Sequence, residues 1–154
     1  MIVPISRSAF MALYLKLKAR RVPYLWDGKA NPLDADSSTI TGLDCSGFGQ
    51  YMVAKCTGGR IFLPEGSVDQ HDWCESQGLH RLAHYSDVQY ATKDGARMFM
   101  CFIEPVGPRP GHVWFVCAGK TYESHGGVGV DSRAWNSLAL LKNACAAYEL
   151  ESVA

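Results

Sequence analysis

A helical repeat of hydrophobic positions begins the chain. Phe10, Leu17 and the apolar residues between them recur three or four positions apart, as they do on one face of a helix. A side-chain oxygen of Ser6 or Ser8 can accept hydrogen bonds from the free N–H groups of the first turn. We therefore predict an amphipathic helix from Ser8 to Arg20.

A loop and a second helix follow. Residues 22–41 are rich in proline, glycine, aspartate and serine, a composition typical of loops, and they include Tyr24 and Trp26. Apolar residues then recur four positions apart as far as Cys56. This spacing predicts a helix that begins at or immediately after Cys45 and ends at the glycine pair after Cys56.

The second half of the chain has the pattern of a sheet. Short apolar runs are separated by turns that contain glycine or proline, which is typical of strands. The predicted strands are 98–104, 112–117, 121–125 and 146–150, and a short helical pattern begins near residue 134. Helices followed by an antiparallel sheet indicate an α+β fold. At 154 residues without an internal repeat, we expect one domain, 1–154.

Charge and composition argue against several classes of protein. Fifteen Lys and Arg balance fifteen Asp and Glu, so no overall field attracts nucleic acid or an anionic membrane. Residues 1–10 lack the apolar run of a signal peptide, and no segment approaches the roughly 18 apolar residues that span a bilayer. We expect neither ordinary export nor membrane insertion. Six irregularly spaced cysteines allow a bridge or two whose pairing cannot be assigned.

One cysteine lies where a helix can activate it. The dipole and free N–H groups of a helix N-terminus stabilise a thiolate. Cys45 has this predicted position, and Gly42 and Gly47 beside it would let other backbone approach closely. Asp44 and Ser46 are suitable capping residues. Cys45 is therefore a candidate nucleophile; the alternative, a small buried hydrophobic residue, describes most cysteines.

A general base must reach that thiol, and histidine suits this task because its ordinary pKa of about 6.5 lies near neutral pH. His71, His80 and His84 occur in a polar, loop-rich stretch, whereas His112 begins a strongly apolar strand. A strand holds a side chain on a rigid scaffold. His112 is therefore the predicted base.

A third polar group is expected to orient the imidazole. Alternation along the strand after His112 places Glu123 and His125 on one of its faces. A two-residue turn at Gly119-Lys120 would bring His112 to that same face. Either Glu123 or His125 could then orient the base.

Several short motifs follow one another along the chain: Pro23-Tyr24-Leu25-Trp26-Asp27-Gly28, Gly42-Leu43-Asp44-Cys45-Ser46-Gly47-Phe48, Leu63-Pro64 with Ser67 and Gln70, Gly111-His112-Val113, and Tyr122-Glu123 followed by Gly129-Val130. They occur in the order seen in NlpC-type peptidoglycan endopeptidases, and the chain resembles that family over residues 22–130. The resemblance implies a papain-like fold, with N-terminal helices packed on an antiparallel sheet.

The resemblance also implies roles for residues. Cys45 would be the nucleophile, His112 the base and, by motif position, Glu123 the third residue. The enzyme would cleave amide bonds in the peptide stems or cross-links of bacterial peptidoglycan through a thioester, without a cofactor or metal. Tyr24 would be an active-site tyrosine that helps the Cys45 backbone N–H to hold the oxyanion.

The expected groove includes further residues and two departures from the family. Trp26, Asp44 and Ser46 complete the predicted substrate-binding set. Asp27 stands where the family usually has glycine, and Ala96-Arg97 replaces the usual Gly-Asp before the strand 98–104. These departures bear on specificity more than on the chemistry of cleavage.

A biological setting follows from the same resemblance. A single catalytic domain without a signal peptide is similar to the small amidase effectors of type VI secretion. Such a protein would be made in the bacterial cytoplasm, exported by a specialised secretion system, and active as a monomer in the periplasm of a target cell. Its partners would be peptidoglycan peptide and an immunity protein that blocks the groove. A phage tail-associated hydrolase is the alternative setting.

Other functions share some of these features. A zinc site from His71, Cys74, His80 and His84 would need spacings that match no familiar ligand pattern. The first glycine of a phosphate-binding loop is missing before Gly119-Lys120-Thr121, and no G-x-S-x-G elbow occurs. A papain-fold acyltransferase or transglutaminase would use the same Cys-His pair. An inactive binding module is the non-enzymatic alternative.

Overall fold

Four helices precede the main sheet along the chain, of which the hydrophobic pattern predicts the first two. The computed structural model describes residues 3–30, 37–137, 141 and 145–154. The helices are α1 (Arg7–Ala19), α2 (Cys45–Cys56), α3 (Ser67–Ser76) and α4 (Val88–Thr92), with 3-10 turns at Ser37–Thr39 and Tyr85–Asp87. The strands are β1 (Ile5–Ser6), β2 (Met98–Ile103), β3 (His112–Cys117), β4 (Lys120–His125), β5 (Gly129–Asp131), β6 (Cys145–Leu150) and β7 (Ser152–Val153).

Five of the strands form one antiparallel sheet in the order β5-β4-β3-β2-β6. At the two ends of the β2–β3 ladder, Met98 pairs with Cys117 and Ile103 with His112. β1 and β7 form a separate, parallel pair. The predicted α+β fold, with helices packed on an antiparallel sheet, is confirmed. The parallel pair and β5 were not predicted, because two or three residues are too short to show a periodic pattern.

The central strand β2 is buried on both faces. Phe102 belongs to the larger core cluster, which also contains side chains of α1 and α2, whereas Phe99 belongs with Tyr85 and Val88 to the cluster on the opposite face. Burial on both faces explains why residues 98–103 form a continuous apolar run without alternation. In the larger cluster, the ring of Phe10 from α1 meets that of Phe115 edge-on at 5.1 Å. The ring of Phe48 from α2 meets the same Phe115 ring edge-on at 6.0 Å, so both helices pack on the sheet.

The predicted turn between β3 and β4 is wrong by one residue. Cys117 pairs with Lys120, so the turn consists of Ala118 and Gly119. Both have positive φ, 52° and 72°, as a two-residue turn compatible with strand twist requires. Thr121 thus pairs with a residue two positions earlier than expected, and a shift of two keeps every side chain on its predicted face.

Other local predictions also need correction. His71 does not lie in a loop but in α3, a helix that buries Gln70 and Cys74 and otherwise shows little hydrophobic periodicity. All six cysteines are free thiols, so neither of the bridges that the cysteine count allowed is formed. Most of the helical pattern predicted after residue 134 lies outside the described residues. Within the described part of the chain, no helix is long and apolar enough to cross a membrane.

Candidate active site

Cys45 is the first residue of α2 and is partly exposed. Asp44 is the N-cap, and its Oδ1 accepts hydrogen bonds of 2.6 Å from the Gly47 N–H and 3.1 Å from the Ser46 hydroxyl. Asp44 thus satisfies one of the free N–H groups of the first turn. The Cys45 thiol consequently lies at the positive end of the helix dipole, as the sequence predicts.

The loop before α2 crosses directly over the start of that helix. The Asp44 N–H donates to the Gly28 carbonyl at 3.0 Å, and the Leu43 N–H donates to the Pro23 carbonyl at 3.1 Å. A Cβ atom on Gly47 would lie 2.3 Å from the Gly28 oxygen, so only glycine permits this approach. The contact holds the segment 23–28, including Tyr24, beside the thiol.

Asp27 occupies the left-handed region of backbone space, with φ 60°. This is the position at which NlpC-type sequences usually have glycine. Aspartate is one of the few side chains that visit this region readily. The backbone turn that glycine would permit is therefore formed here with an exposed carboxylate at the groove.

His112 is the first residue of β3 and contacts both Cys45 and Glu123. Its Nε2–H donates to Glu123 Oε1 at 2.8 Å, which leaves Nδ1 for its hydrogen bond with Cys45. The imidazole also stacks on Trp114, with ring centroids 5.4 Å apart. Burial would lower the pKa of His112, but hydrogen bonds and charge interactions with Cys45 and Glu123 outweigh burial and raise it to about 9.

Glu123 lies on β4 with no exposed surface. Its carboxylate accepts hydrogen bonds from His112, from the Thr121 hydroxyl, and from Arg133 through Nε at 3.0 Å and Nη2 at 2.9 Å. Burial would raise the pKa of Glu123, but these donors outweigh it and hold the pKa at about 2. Glu123 is therefore an ionised carboxylate behind the imidazole.

His125 shares the face of Glu123 but has a different partner. Its Nε2 lies 3.0 Å from Oδ2 of Asp131 on β5. The structure therefore brings Glu123, and not His125, into hydrogen-bonding contact with His112. His125 lines one end of the groove instead.

The groove consists of two adjoining depressions that share Tyr24, Trp26 and Cys45 in their walls. The first has a volume of about 340 Å³, and its other charged residues are Asp27, Lys29, Asp44 and Glu65. The second, of about 510 Å³, is lined by Arg109, His112, His125 and Arg133 among others. Asp27, Asp44 and Glu65 thus lie on one side of the thiol together with Lys29, which contacts Asp44, whereas the charged side chains on the other side are basic.

The predicted substrate-binding residues differ in what they offer a ligand. Burial, followed by the charges of Cys45 and Asp44, raises the pKa of Tyr24, so its hydroxyl stays protonated and can donate. Trp26 is 71% exposed and lies at the junction of the two depressions. Asp44 and Ser46 are already occupied, because the Lys29 ammonium contacts both of them.

The residues proposed for a zinc site do not converge. His71 contacts Glu104 and Tyr148, and the Cys74 thiol is buried beside the Met100 sulfur. Across the residues that the structure describes, no group of three or more His, Cys, Asp or Glu side chains could hold a metal ion.

Four charged residues that line the groove were missed from the sequence: Lys29, Glu65, Arg109 and Arg133. Arg133 contacts Glu123, and Lys29 contacts Asp44. Neither belongs to a periodic pattern or to a motif that carries the family resemblance. Lys29 directly follows the Asp27-Gly28 turn. This position beside a motif is the one feature of the sequence that could have indicated that Lys29 lies in the groove.

No family model and no curated protein matches the sequence. Among solved structures, the chain is similar to the P60 domain of an antigen from M. avium subspecies paratuberculosis, with 24% identity and a TM-score of 0.48 over 83% of this chain and 86% of that one. It is also similar to the peptidoglycan hydrolase RipB from Mycobacterium tuberculosis, with 21% identity and a TM-score of 0.43 over 84% of this chain and 62% of that one. Both comparisons concern the fold. The description of the site rests on the side-chain contacts of this protein alone.

Proposed function

We propose that this protein is a cysteine hydrolase that cleaves amide bonds in the peptide part of bacterial peptidoglycan. The observation that carries the proposal is the line of contacts from Cys45 through His112 to the buried carboxylate of Glu123. A nucleophile, a base and a group that orients the base are the three parts of an acyl-transfer site. The line opens on the groove formed by the two depressions of about 340 and 510 Å³.

Cleavage would proceed through an acyl-enzyme. His112 takes the Cys45 proton, and the thiolate forms a bond to the carbonyl carbon of the substrate. The Cys45 backbone N–H and the Tyr24 hydroxyl hold the oxyanion. The imidazolium then gives its proton to the leaving amine as the C–N bond breaks. Water, activated by His112, attacks the thioester, releases the acid and restores the thiol.

Glu123 would stabilise the imidazolium that forms in both steps. Its ionised carboxylate faces Nε2 and cannot be reached by solvent, so the interaction is little screened. The same hydrogen bond fixes the orientation of the ring, with Nδ1 directed at the thiol. A neutral residue could keep that orientation but would stabilise the imidazolium less.

The groove supports a peptide substrate with both amines and carboxylates. Asp27 and Glu65 lie on one side of Cys45, and Arg109 on the other. The stem peptides of Gram-negative peptidoglycan, which contain D-amino acids and diaminopimelate, carry both kinds of group. The two candidate bonds are the D-glutamyl–diaminopimelate link and the diaminopimelate–D-alanine cross-link.

The setting in the cell belongs to the same proposal and rests on the sequence resemblance. A type VI effector would act in the periplasm of a target cell and be blocked by an immunity protein. Directing the protein to the periplasm of a Gram-negative host should therefore lyse the cells, whereas cytoplasmic expression should be tolerated because peptidoglycan is absent there. Equal toxicity from both compartments, or from Cys45→Ala in the periplasm, would refute cell-wall hydrolysis.

A further inference from the structure

Arg133 makes a two-pronged contact with Glu123 on the side away from His112. Its Nε donates to one carboxylate oxygen at 3.0 Å and its Nη2 to the other at 2.9 Å. The Arg133 side chain is 22% exposed, whereas that of Glu123 is fully buried. Among the residues that the structure describes, His112 and Arg133 are the cations that contact this carboxylate.

The register of β4 and β5 fixes where Arg133 lies. Glu123 pairs with Asp131, and the same ladder continues to Thr121 and Arg133. The Thr121 N–H donates to the Arg133 carbonyl at 2.8 Å, and the Arg133 N–H donates to the Thr121 hydroxyl oxygen at 3.0 Å. The position of the guanidinium beside Glu123 is therefore fixed by hydrogen bonds of the Arg133 backbone to β4.

This arrangement addresses the cost of a buried charge. A carboxylate without solvent takes up a proton unless cations and donors compensate for its lost hydration. If Glu123 were protonated, it could no longer stabilise an imidazolium at His112. The guanidinium matches both carboxylate oxygens at once, so it also fixes the plane in which Oε1 meets the imidazole.

We propose that Arg133 is a positioning residue, which keeps Glu123 ionised and aligned so that Glu123 can stabilise the His112 imidazolium. The inference rests on the proposed function, because it assigns Cys45 and His112 to one reaction. Once His112 has taken the Cys45 proton, charges alternate along the site: thiolate, imidazolium, carboxylate and guanidinium. Each ion has a neighbour of opposite sign, as buried ions require.

The other titratable groups near Glu123 do not supply a positive charge that could keep it ionised. Tyr14 on α1, Tyr85 before α4 and Cys101 on β2 are close enough to sense the Glu123 charge. Burial is the largest cause of the raised pKa of each, so all three are neutral near pH 7. None of them can replace a cation beside the carboxylate.

A direct contact of Arg133 with substrate is the competing explanation, since Arg133 also lines the groove. The two roles predict different kinetics. A substrate contact made equally in the ground and transition states changes KM, whereas support of the imidazolium changes kcat. A residue that acts through Glu123 should also lose its effect once Glu123 has no charge.

The test uses Arg133→Met and Arg133→Lys, each in the native chain and in a Glu123→Gln background. Two readouts are followed: kinetics on purified peptidoglycan, and the pH dependence of Cys45 alkylation by iodoacetamide, which needs no substrate. Arg97→Met is the matched control. The expectation that Arg97 belongs to the groove is wrong, because Arg97 makes the same kind of two-pronged contact with Glu149, at 2.6 and 2.8 Å, and neither residue lines the groove. Thermal unfolding of each variant confirms that it folds.

In the native chain, Arg133→Met should lower kcat about 10- to 100-fold with little change in KM, as expected for loss of charge-assisted hydrogen bonds. Arg133→Lys should fall between native and Met. The acid limb of the alkylation profile should move up by about one pH unit, because Glu123 takes up a proton more readily. In the Glu123→Gln background, Arg133→Met should change kcat by less than about threefold.

An equal loss of kcat in both backgrounds, a rise in KM alone, or an unshifted alkylation profile would overturn the role of Arg133. These outcomes can be distinguished from a failure of the proposed hydrolase function. If the native protein left peptidoglycan intact, hydrolysis would be refuted. The alkylation profiles would still decide whether Arg133 acts on Cys45 through Glu123 and His112.

Discussion

Glu123 accepts a hydrogen bond of 2.8 Å from Nε2 of His112 while its carboxylate has no exposed surface. A buried carboxylate in this position strengthens the basicity of the imidazole, because the charge is not screened by water. This contact, after the hydrogen bond with Cys45, raises the pKa of His112 to about 9, and together with Arg133 and Thr121 it lowers the pKa of Glu123 to about 2. The proposed chemistry depends on it.

The first prediction separates Glu123 from His125. Glu123→Gln should lower kcat/KM about tenfold or more, because the imidazolium loses its buried counter-charge. His125→Ala should have a much smaller effect, since His125 contacts Asp131 and not His112. Steady-state kinetics on peptidoglycan compare the two. The reverse order of effects would show that the third group has been misassigned.

The second prediction concerns pH. The imidazolium of His112 is present below its pKa, so kcat/KM should fall as the pH rises through about 9. Glu123→Gln should move this alkaline limb to lower pH, because one group that raises the His112 pKa loses its charge. The contribution of His112 to folding stability follows the same sign: it is fully present below about pH 6.5 and is lost as the pH rises through about 9. An alkaline limb that Glu123→Gln leaves in place would contradict the assignment.

The third prediction is selective alkylation of Cys45. Burial raises the pKa of every other thiol: to about 12 for Cys56 and Cys74, to about 11 for Cys145, and above the ordinary value for Cys101 and Cys117. Cys45 is partly exposed beside a base, so iodoacetamide at neutral pH should modify it at least about tenfold faster than the others. Peptide mapping by mass spectrometry measures the rates. Comparable labelling of several cysteines would count against an activated thiol, and His112→Ala serves as the control.

The fourth prediction concerns the close approach of Gly47 to the loop 23–28. A Cβ atom in Gly47→Ala would lie 2.3 Å from the Gly28 carbonyl oxygen, and neither backbone segment can yield easily. We expect a loss of roughly 2 kcal/mol in the free energy of unfolding and reduced activity, because Tyr24 shifts with the loop. Urea unfolding gives the free energy. Gly126→Ala is the control, since nothing lies within 4 Å of its new Cβ; equal effects of the two substitutions would refute the steric argument.

The elements that could be predicted are those with strong local signals. α2 begins at Cys45 because Asp44 is a good N-cap and the residues that follow are apolar at helical spacing. β3 spans His112–Cys117 as predicted because a loop rich in proline and glycine precedes a continuous apolar run. These two elements carry the candidate nucleophile and base. The predicted turn was misplaced, yet the shift of two residues kept Glu123 on the predicted face.

The remaining features depend on contacts distant in sequence. α3 is mostly polar and is held by a few buried side chains, such as Gln70, which donates to the Ser46 carbonyl at 3.0 Å. Glu123 and His125 are equivalent by alternation alone, and the pairing of His125 with Asp131 on β5 distinguishes them. Arg133 reaches Glu123 through the β4–β5 register, which no local pattern encodes.

Digestion of purified Gram-negative peptidoglycan, with the products identified by mass spectrometry, tests the central claim most directly. The native protein should release fragments cut at one amide bond, either D-glutamyl–diaminopimelate or diaminopimelate–D-alanine, and a folded Cys45→Ala variant should release none. Intact peptidoglycan after incubation with the native protein, or digestion that persists in Cys45→Ala, would contradict a cysteine hydrolase of the cell wall.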